Sequence, residues 1–286
     1  MRDSSRVRGT MTGKGLVVPG GAVAYEEAGR GSPIVLLHEG IADHRMWDRE
    51  FSSLSKANRV IRYDLRGYGR SPPATSEYSS VRDLLGLLDH LSVAKPVLVG
   101  PSMGGRIAID FALAHPNRVG GLLLIAPGYS GMDYDHVPGG KATFERDETL
   151  SKAAVDAWTA GHLEEATEHL RLLWASAITG SALDLFRTMV RDNAKEVFED
   201  RSAQFERRDG AAAAGRLDEI HVPTRLLVGD RDNPAMPHVA RYLARGIQGS
   251  RIDVIPGADH LLNLSAPKAF DAAIAEAISG LGRSPV

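Results

Sequence analysis

Short runs of Val, Ile and Leu recur along the chain, and longer segments with apolar residues at helical spacing separate them. This alternation limits the fold more than any other feature, because strands that alternate with helices form β-α-β units and a mostly parallel sheet. Runs of consecutive apolar residues are typical of strands buried on both faces. The predicted strands are 23–28, 33–38, 59–64, 96–100, 120–127, 224–230 and 250–257, and the predicted helices lie near 46–57, 79–91, 103–115, 237–247 and 265–281.

The segment 130–215 interrupts this alternation, because it contains no strand-like run. Ala, Glu, Leu and Arg recur in it at helical spacing, and we therefore expect a helical insertion between two strands of the core. The core is predicted to comprise 14–129 and 216–286, preceded by a flexible extension over 1–13. The insertion is predicted to form a cap, or lid, over a functional site, and the alternative is a group of additional surface helices.

Large apolar side chains are more frequent in the predicted cap than a surface helix requires: Trp158, Trp174, Phe186, Met189, Phe198 and Phe205. Some of them must pack the cap onto the core. Ligand pockets are lined mainly by apolar and aromatic side chains. Trp158 and Trp174 are therefore our candidates for contact with a substrate.

The composition indicates an ordinary globular protein and excludes several classes of function. With 286 residues, of which 43% are hydrophobic and 24% charged, the chain can form one α/β core with an insertion. Its net charge of -2 provides no basic surface for nucleic acid or for an anionic membrane. No apolar run reaches the roughly 18 residues of a membrane span, and no signal-peptide pattern follows the N-terminus, so we expect a cytoplasmic protein.

The motif GPSMG at 100–104 joins a predicted strand to a predicted helix. In this context a G-x-S-x-G motif presents a serine nucleophile on a tight, strained turn. Side chains at Gly100 and Gly104 would clash in such a turn, and the N-terminus of the following helix favours negative charge. We therefore predict that Ser102 is a nucleophile, and the alternative is an ordinary serine in a turn. The chain has no cysteine, which excludes disulfides, thiolate metal sites and a cysteine nucleophile.

A serine hydroxyl needs a base and an acid that orients the base. His260 follows the last predicted strand, at the sheet edge where the carboxyl ends of parallel strands form sites. His38, which ends an earlier strand, is the alternative base. Asp230 and Asp232 follow the preceding strand. Asp232 lies further into its loop and has more freedom to reach His260, whereas Asp230 is placed to cap the turn, so we predict Asp232 as the acid.

Six motifs follow or join the predicted strands: IVLLHEG, the pair MW at 46–47, RVIRYDLRGYGRS, GPSMGG, LLVGDRD and GADHLLNLSAP. Together they resemble α/β-hydrolase fold enzymes of the esterase, lactonase and enol-lactonase type, over nearly the whole chain outside the insertion. The resemblance implies a mostly parallel central sheet flanked by helices and the chain order Ser, Asp, His. It also implies an oxyanion hole formed by the backbone N–H groups of Met103 and Gly40.

The implied activity is that of a serine hydrolase that cleaves a carboxylic ester or lactone through an acyl-enzyme. We expect a small, moderately apolar substrate, no metal or cofactor, and a monomer or homodimer. Hydrolases that cleave C–C bonds in meta-cleavage products share the SMGG elbow, but they usually carry Trp after the catalytic His, where this chain has Leu261. A ligand-binding or biosynthetic member of the fold that does not hydrolyse its ligand is the remaining alternative.

One residue departs from the pattern of these enzymes. They usually have His-Gly where this chain has His38-Glu39-Gly40. A carboxylate at Glu39 would lie beside a hole built for an oxyanion. One interpretation is that its side chain points away and bonds to a neighbour, and the other is that it contacts the substrate or tunes a pKa in the site.

Overall fold

Eight strands form one central sheet in the computed structural model, which describes residues 14–132 and 140–281. They are β1 (Lys14–Val18), β2 (Gly21–Ala28), β3 (Pro33–Leu36), β4 (Arg59–Tyr63), β5 (Val97–Pro101), β6 (Gly121–Pro127), β7 (Thr224–Gly229) and β8 (Arg251–Ile255). The order in the sheet is β1-β2-β4-β3-β5-β6-β7-β8. The pairs β1–β2 and β2–β4 are antiparallel and all other neighbours are parallel, which confirms the mostly parallel sheet.

Ten α-helices connect these strands within the described ranges. They are α1 (Asp48–Leu54), α2 (Ser80–His90), α3 (Ser102–Ala114), α4 (Gly140–Thr159), α5 (Leu163–Trp174), α6 (Gly180–Asp192), α7 (Ala194–Glu199), α8 (Met236–Gly246), α9 (Leu262–Ser265) and α10 (Pro267–Leu281). Every helix predicted from the sequence corresponds to one of them, with a 3-10 turn over His44–Trp47 before α1. None of the helices described is long and apolar enough to cross a membrane.

The centre of the sheet is fully covered by helices. Every residue of β5 and β6 is buried, and α3 packs against both strands. Burial on both faces explains why these strands have consecutive rather than alternating apolar residues. Because β5 and β6 are parallel neighbours, with Val97 opposite Gly121, their carboxyl ends reach the same edge of the sheet.

The first strand, β1, is not among the strands predicted from the sequence. β1 pairs with β2 along its whole length, but Val18 is its one buried residue. Because the strand lies at the sheet edge and is mostly exposed, its sequence lacks the apolar run that identifies the central strands. The predicted extension 1–13 lies outside the described residues.

The last predicted helix, 265–281, corresponds to α10, which begins two residues later, and the short helix α9 precedes it. α9 ends at Ser265 and α10 begins at Pro267. A proline cannot continue a helix and restricts the residue before it, and Ala266 accordingly has φ -131° and ψ 57°.

The insertion between β6 and β7 is helical, as predicted. Its described residues form α4 to α7 and no strand. Phe186, Met189 and Phe198 are buried, which accounts for three of the large apolar residues noted in the sequence. We refer to the part of the chain from α4 to α7 as the cap helices.

Candidate active site

The turn between β5 and α3 holds Ser102 in a strained backbone conformation. Its φ is 44°, in the left-handed region that few residues other than glycine adopt. Such a conformation costs on the order of 1–3 kcal/mol and persists where the surrounding structure enforces it. The residue is half-buried, at the N-terminus of α3 and at the carboxyl edge of the sheet.

Three glycines make this turn possible. A Cβ atom on Gly100 would lie 2.4 Å from the carbonyl carbon of Gly104, and one on Gly104 would lie 2.8 Å from the backbone oxygen of His38. A Cβ atom on Gly105 would lie 2.6 Å from the Cβ of Pro127. The clashes predicted for Gly100 and Gly104 are therefore present, and Gly105 adds a third close contact that the pentapeptide motif does not include.

His260 and Asp232 form a buried pair in the loops that follow β8 and β7. Nδ1 of His260 lies 3.0 Å and 3.2 Å from the two carboxylate oxygens of Asp232. The side chains are 5% and 0% exposed. Burial lowers the pKa of His260, but neighbouring carboxylates, above all Asp232, outweigh burial and raise it to about 9. This contact fixes the ring orientation and directs Nε2 away from the carboxylate.

The structure separates the two aspartates of the LLVGDRD motif. Asp230 is exposed, and its carboxylate accepts a hydrogen bond from the N–H of Gly257 at 2.6 Å. It therefore ties the loop after β7 to the loop after β8, as a cap on the turn. Asp232 alone of the two contacts His260.

The alternative base, His38, has both ring nitrogens occupied by the backbone. Its Nδ1 lies 2.7 Å from the carbonyl oxygen of Glu39, and its Nε2 accepts a hydrogen bond from the N–H of Leu65 at 2.9 Å. The ring is fully buried, and burial lowers its pKa. His38 thus holds the loop after β3 to the loop after β4 and has no ring nitrogen left for a serine.

The loop after β3 brings Gly40 next to Met103. A Cβ atom on Gly40 would lie 3.8 Å from the sulfur of Met103. Two side chains fix the loop, since Tyr68 donates to the Gly40 carbonyl at 2.9 Å and the indole of Trp47 donates to the Leu37 carbonyl at 2.9 Å. The two residues proposed as oxyanion donors are therefore neighbours: Met103 lies in α3, and Gly40 lies on a loop that is held from both sides.

Glu39 is buried without a hydrogen-bond partner. Its residue is 1% exposed, and neither carboxylate oxygen has a partner among the residues described. Burial raises its pKa to about 8, and among nearby charges His260 lowers it while Asp259 and Asp232 raise it. The interpretation that Glu39 bonds to a neighbour is therefore wrong, and a role in contacting substrate stays a prediction.

The two candidate tryptophans lie in different places. The ring of Trp174, at the end of α5, lies 4.6 Å from the ring of His260. Trp158 instead stacks on Phe198 at 5.4 Å and donates to Glu199 at 3.3 Å. It lines a separate cavity of about 340 Å³ with residues such as Arg191. Trp174 thus lies next to His260, whereas Trp158 lies at a different cavity.

Polar contacts join the cap helices to the loops that carry Asp232 and His260. Asp259 accepts from the N–H of Ala177 at 2.8 Å and from the N–H of Leu261 at 3.1 Å. Asp147 in α4 accepts from the side chain of Asn233 at 2.5 Å. The sequence-based prediction did not include these residues, although the position of Asp259 directly before His260 is a signal for it.

One buried cluster has the donor types of a metal site. Side-chain atoms of Asp43, His44 and Asp64 lie within 4.8 Å of one another. All of their carboxylate oxygens already accept hydrogen bonds: Asp43 accepts from Arg45, and Asp64 accepts from His44 and from the N–H of Arg70. The cluster is therefore a hydrogen-bonded support of the loops after β3 and β4.

This fold and this turn match a known family. Residues 34–273 match the model of the alpha/beta hydrolase family. The chain belongs to this family. It is accordingly a hydrolytic enzyme, as the resemblance of its motifs predicted.

The most similar proteins include esterases and lactonases. A thermophilic esterase from Thermogutta terrifontis has 27% sequence identity and a TM-score of 0.76, over 95% of this chain and 98% of that chain. The enol-lactonase from Burkholderia xenovorans has 23% identity and a TM-score of 0.72, over 93% of this chain and 100% of that chain, and supports the fold alone. A 2-hydroxy-6-oxononadienedioate/2-hydroxy-6-oxononatrienedioate hydrolase from Paraburkholderia xenovorans is 38% identical over 116 residues, which are 37% of this chain and 40% of that protein.

Proposed function

We propose that this hydrolase cleaves carboxylic esters or lactones of small, moderately apolar substrates through Ser102, His260 and Asp232. The observation that carries the proposal is the positive φ of Ser102 at the start of α3. A strained serine at a strand-to-helix turn is the geometry in which a hydroxyl is presented for attack. The buried pair of His260 and Asp232 at the same sheet edge supplies the base and the group that orients it.

In the proposed reaction Oγ of Ser102 attacks the carbonyl carbon while Nε2 of His260 takes the hydroxyl proton. Asp232 stabilises the imidazolium that forms, and the N–H groups of Met103 and Gly40 donate to the oxyanion. Collapse of the tetrahedral intermediate breaks the C–O bond, and His260 returns the proton to the leaving alcohol. Water then attacks the acyl-serine by the same route, which releases the acid and restores the hydroxyl.

The environment of the base favours a substrate with an apolar part. Trp174 presents an aromatic ring beside His260, and its position at the end of α5 makes it part of the cap helices. Aromatic walls of this kind favour apolar groups by burial and by shape. The likeness to a Thermogutta terrifontis esterase, over 95% of this chain, supports an ester as the reactive group.

The variant Ser102→Ala tests the proposed nucleophile. We expect the hydrolysis of p-nitrophenyl butyrate to fall at least about 1,000-fold, because no other hydroxyl replaces the one at the elbow. Circular dichroism of the variant provides the control for folding. Activity close to that of the wild type in a folded Ser102→Ala protein would contradict the mechanism.

A C–C bond hydrolase is the second candidate, and the partial match to the Paraburkholderia xenovorans enzyme is the observation that favours it. Leu261, which stands where such enzymes usually carry Trp, is buried beside His260. A panel of esters, lactones and meta-cleavage products, assayed with wild type and Ser102→Ala, separates the two candidates. We expect turnover of esters or lactones to exceed that of the C–C substrates, and the reverse order would favour the second candidate.

A further inference from the structure

The side chain of Glu39 has an unusual combination of burial and isolation. It directly precedes Gly40 and is 1% exposed, and neither of its carboxylate oxygens has a hydrogen-bond partner in 14–132 or 140–281. Buried carboxyl groups in proteins are normally paired or hydrogen-bonded, because the desolvation of an isolated charge is costly. The gain or loss of a proton by Glu39 therefore changes the charge inside the site.

Three ionisable groups interact electrostatically with Glu39: His260 and Asp259 in the loop after β8, and Asp232 in the loop after β7. Asp232 is bound to Nδ1 of His260, and both oxygens of Asp259 accept backbone N–H groups. On the same loop as Glu39, both nitrogens of His38 are bound to the backbone. Glu39 is thus the one carboxyl group of this set with no hydrogen bond to fix its protonation state.

We propose that Glu39 is a positioning residue that acts through His260: its carboxyl group, buried without a hydrogen bond on the loop after β3, adds a negative charge near the imidazole and so sets the pH range in which this base works. The inference rests on the proposed function, in which His260 is the base. It adds a residue that the usual Ser-His-Asp set does not contain.

The sign of the effect follows from the charges in the buried site. A Glu39 carboxylate raises the pKa of His260, while His260 lowers the pKa of Glu39 against the effect of burial. Two buried groups coupled in this way titrate as a pair. An imidazolium cannot take the proton of Ser102, so the reaction becomes fast only when the imidazole of His260 has lost its proton. The wild type is therefore expected to reach its full rate at a higher pH than an otherwise identical enzyme without the carboxyl group of Glu39.

The test is the pH dependence of kcat/KM for p-nitrophenyl butyrate in the wild type and in Glu39→Gln. Gln keeps the size of the side chain and removes its charge, so we expect the acid limb of the profile to move to lower pH. Each unit of that movement raises the activity at a fixed acid pH, relative to the plateau, about tenfold. A folded and active Glu39→Gln enzyme whose acid limb does not move would overturn the inference.

Glu50→Gln is the matched control. Glu50, in α1, is also 1% exposed with both carboxylate oxygens unpartnered among the described residues, and burial raises its pKa to about 7. Among charged groups, Asp271 raises its pKa further and Arg49 lowers it. We expect this variant to leave the acid limb in place, so a movement of equal size in both variants would overturn the specific role of Glu39.

A direct titration of His260 distinguishes a failure of this inference from a failure of the proposed function. NMR of the imidazole in Ser102→Ala, with and without Glu39→Gln, reports its proton affinity without any turnover. A lower pKa of His260 in the double variant supports the inference, and an unchanged pKa overturns it. The activity of Ser102→Ala alone decides whether the nucleophile was correctly assigned.

Discussion

At the scale of single residues, two aspartates in one short loop have different surroundings. The carboxylate of Asp230 accepts from the N–H of Gly257 and is exposed, whereas the side chain of Asp232 is 0% exposed and contacts His260. A buried carboxylate stabilises an imidazolium more than an exposed one, because the interior screens charge less. Asp232 and Asp230 therefore allow a buried carboxylate that contacts a histidine to be compared with an exposed carboxylate that caps a turn.

We predict that Asp232→Asn lowers kcat about 10,000-fold, because an amide neither holds the required tautomer nor balances the imidazolium charge. Asp230→Asn is the matched control. It keeps an oxygen for the N–H of Gly257, and we expect less than a tenfold change in kcat. Steady-state kinetics with p-nitrophenyl butyrate measure both, and equal losses in the two variants would contradict the assignment.

The geometry of the turn at Ser102 was predictable from the sequence. Ser102, Gly100 and Gly104 lie within one pentapeptide, and the strand before it and the helix after it define the geometry. The isolation of Glu39 was not predictable, because it depends on where three loops distant in sequence place their polar atoms. Trp158 illustrates the same limit, because a large aromatic residue suggests that it lines a pocket but does not show which pocket it lines.

At the scale of elements, the cap helices are attached to the loops after β7 and β8. Asp147 in α4 binds Asn233, one residue from Asp232, and the N–H of Ala177 binds Asp259, one residue from His260. A hydrogen bond to a charged group contributes about 1.5–3 kcal/mol. The loops that carry Asp232 and His260 are therefore held by the cap helices as well as by the sheet.

We predict that Asp147→Ala lowers kcat/KM for esters by about tenfold, because Asn233 loses its partner and the loop that carries Asp232 becomes less ordered. Glu148→Ala, at the exposed neighbouring position on the same helix, is the control and should change kcat/KM less than twofold. Kinetics and melting curves of the two variants measure the effect. Equal kcat/KM values would show that the contact does not order the loop.

The elements themselves differ in how clearly the sequence marks them. The buried strands β5 and β6 carry consecutive apolar residues, and both ends of each strand were predicted to within one residue. β1 escaped prediction because pairing with β2, and not burial, holds it in the sheet. The break between α9 and α10 has a local cause in Pro267, which the helical spacing of the surrounding residues obscures.

At the scale of the whole molecule, two buried glutamates link stability to pH. The pKa of Glu39 is raised to about 8 and that of Glu50 to about 7, from a value of 4.5. Between pH 4.5 and these raised values the folded state binds more protons than the unfolded state, so the free energy of unfolding falls as pH rises. Asp43, whose pKa is lowered to about 2, acts in the opposite direction, but its stabilising effect is lost only as the pH falls below about 4.

We predict that the double variant Glu39→Gln and Glu50→Gln loses much of the decrease in stability between pH 5 and pH 8, while the raised pKa of His260 leaves a smaller decrease above its ordinary value of 6.5. Urea unfolding at several pH values measures the free energy of unfolding for both proteins. The two should be closest in stability at pH 5, and the variant should be the more stable at pH 8. Parallel curves for wild type and variant would contradict this assignment.

The glycine contacts around Ser102 have a consequence for the engineering of this enzyme. The atoms nearest to a Cβ added at Gly100, Gly104 or Gly105 belong to these glycines themselves, His38, Leu37 and Pro127, and none of these residues lies in the cap helices. The close packing that shapes the turn at Ser102 thus comes from residues of the core. Libraries that randomise the inner faces of α4 to α7, while they keep Asp147 and Ala177, should yield new substrate ranges on an unchanged reactive centre.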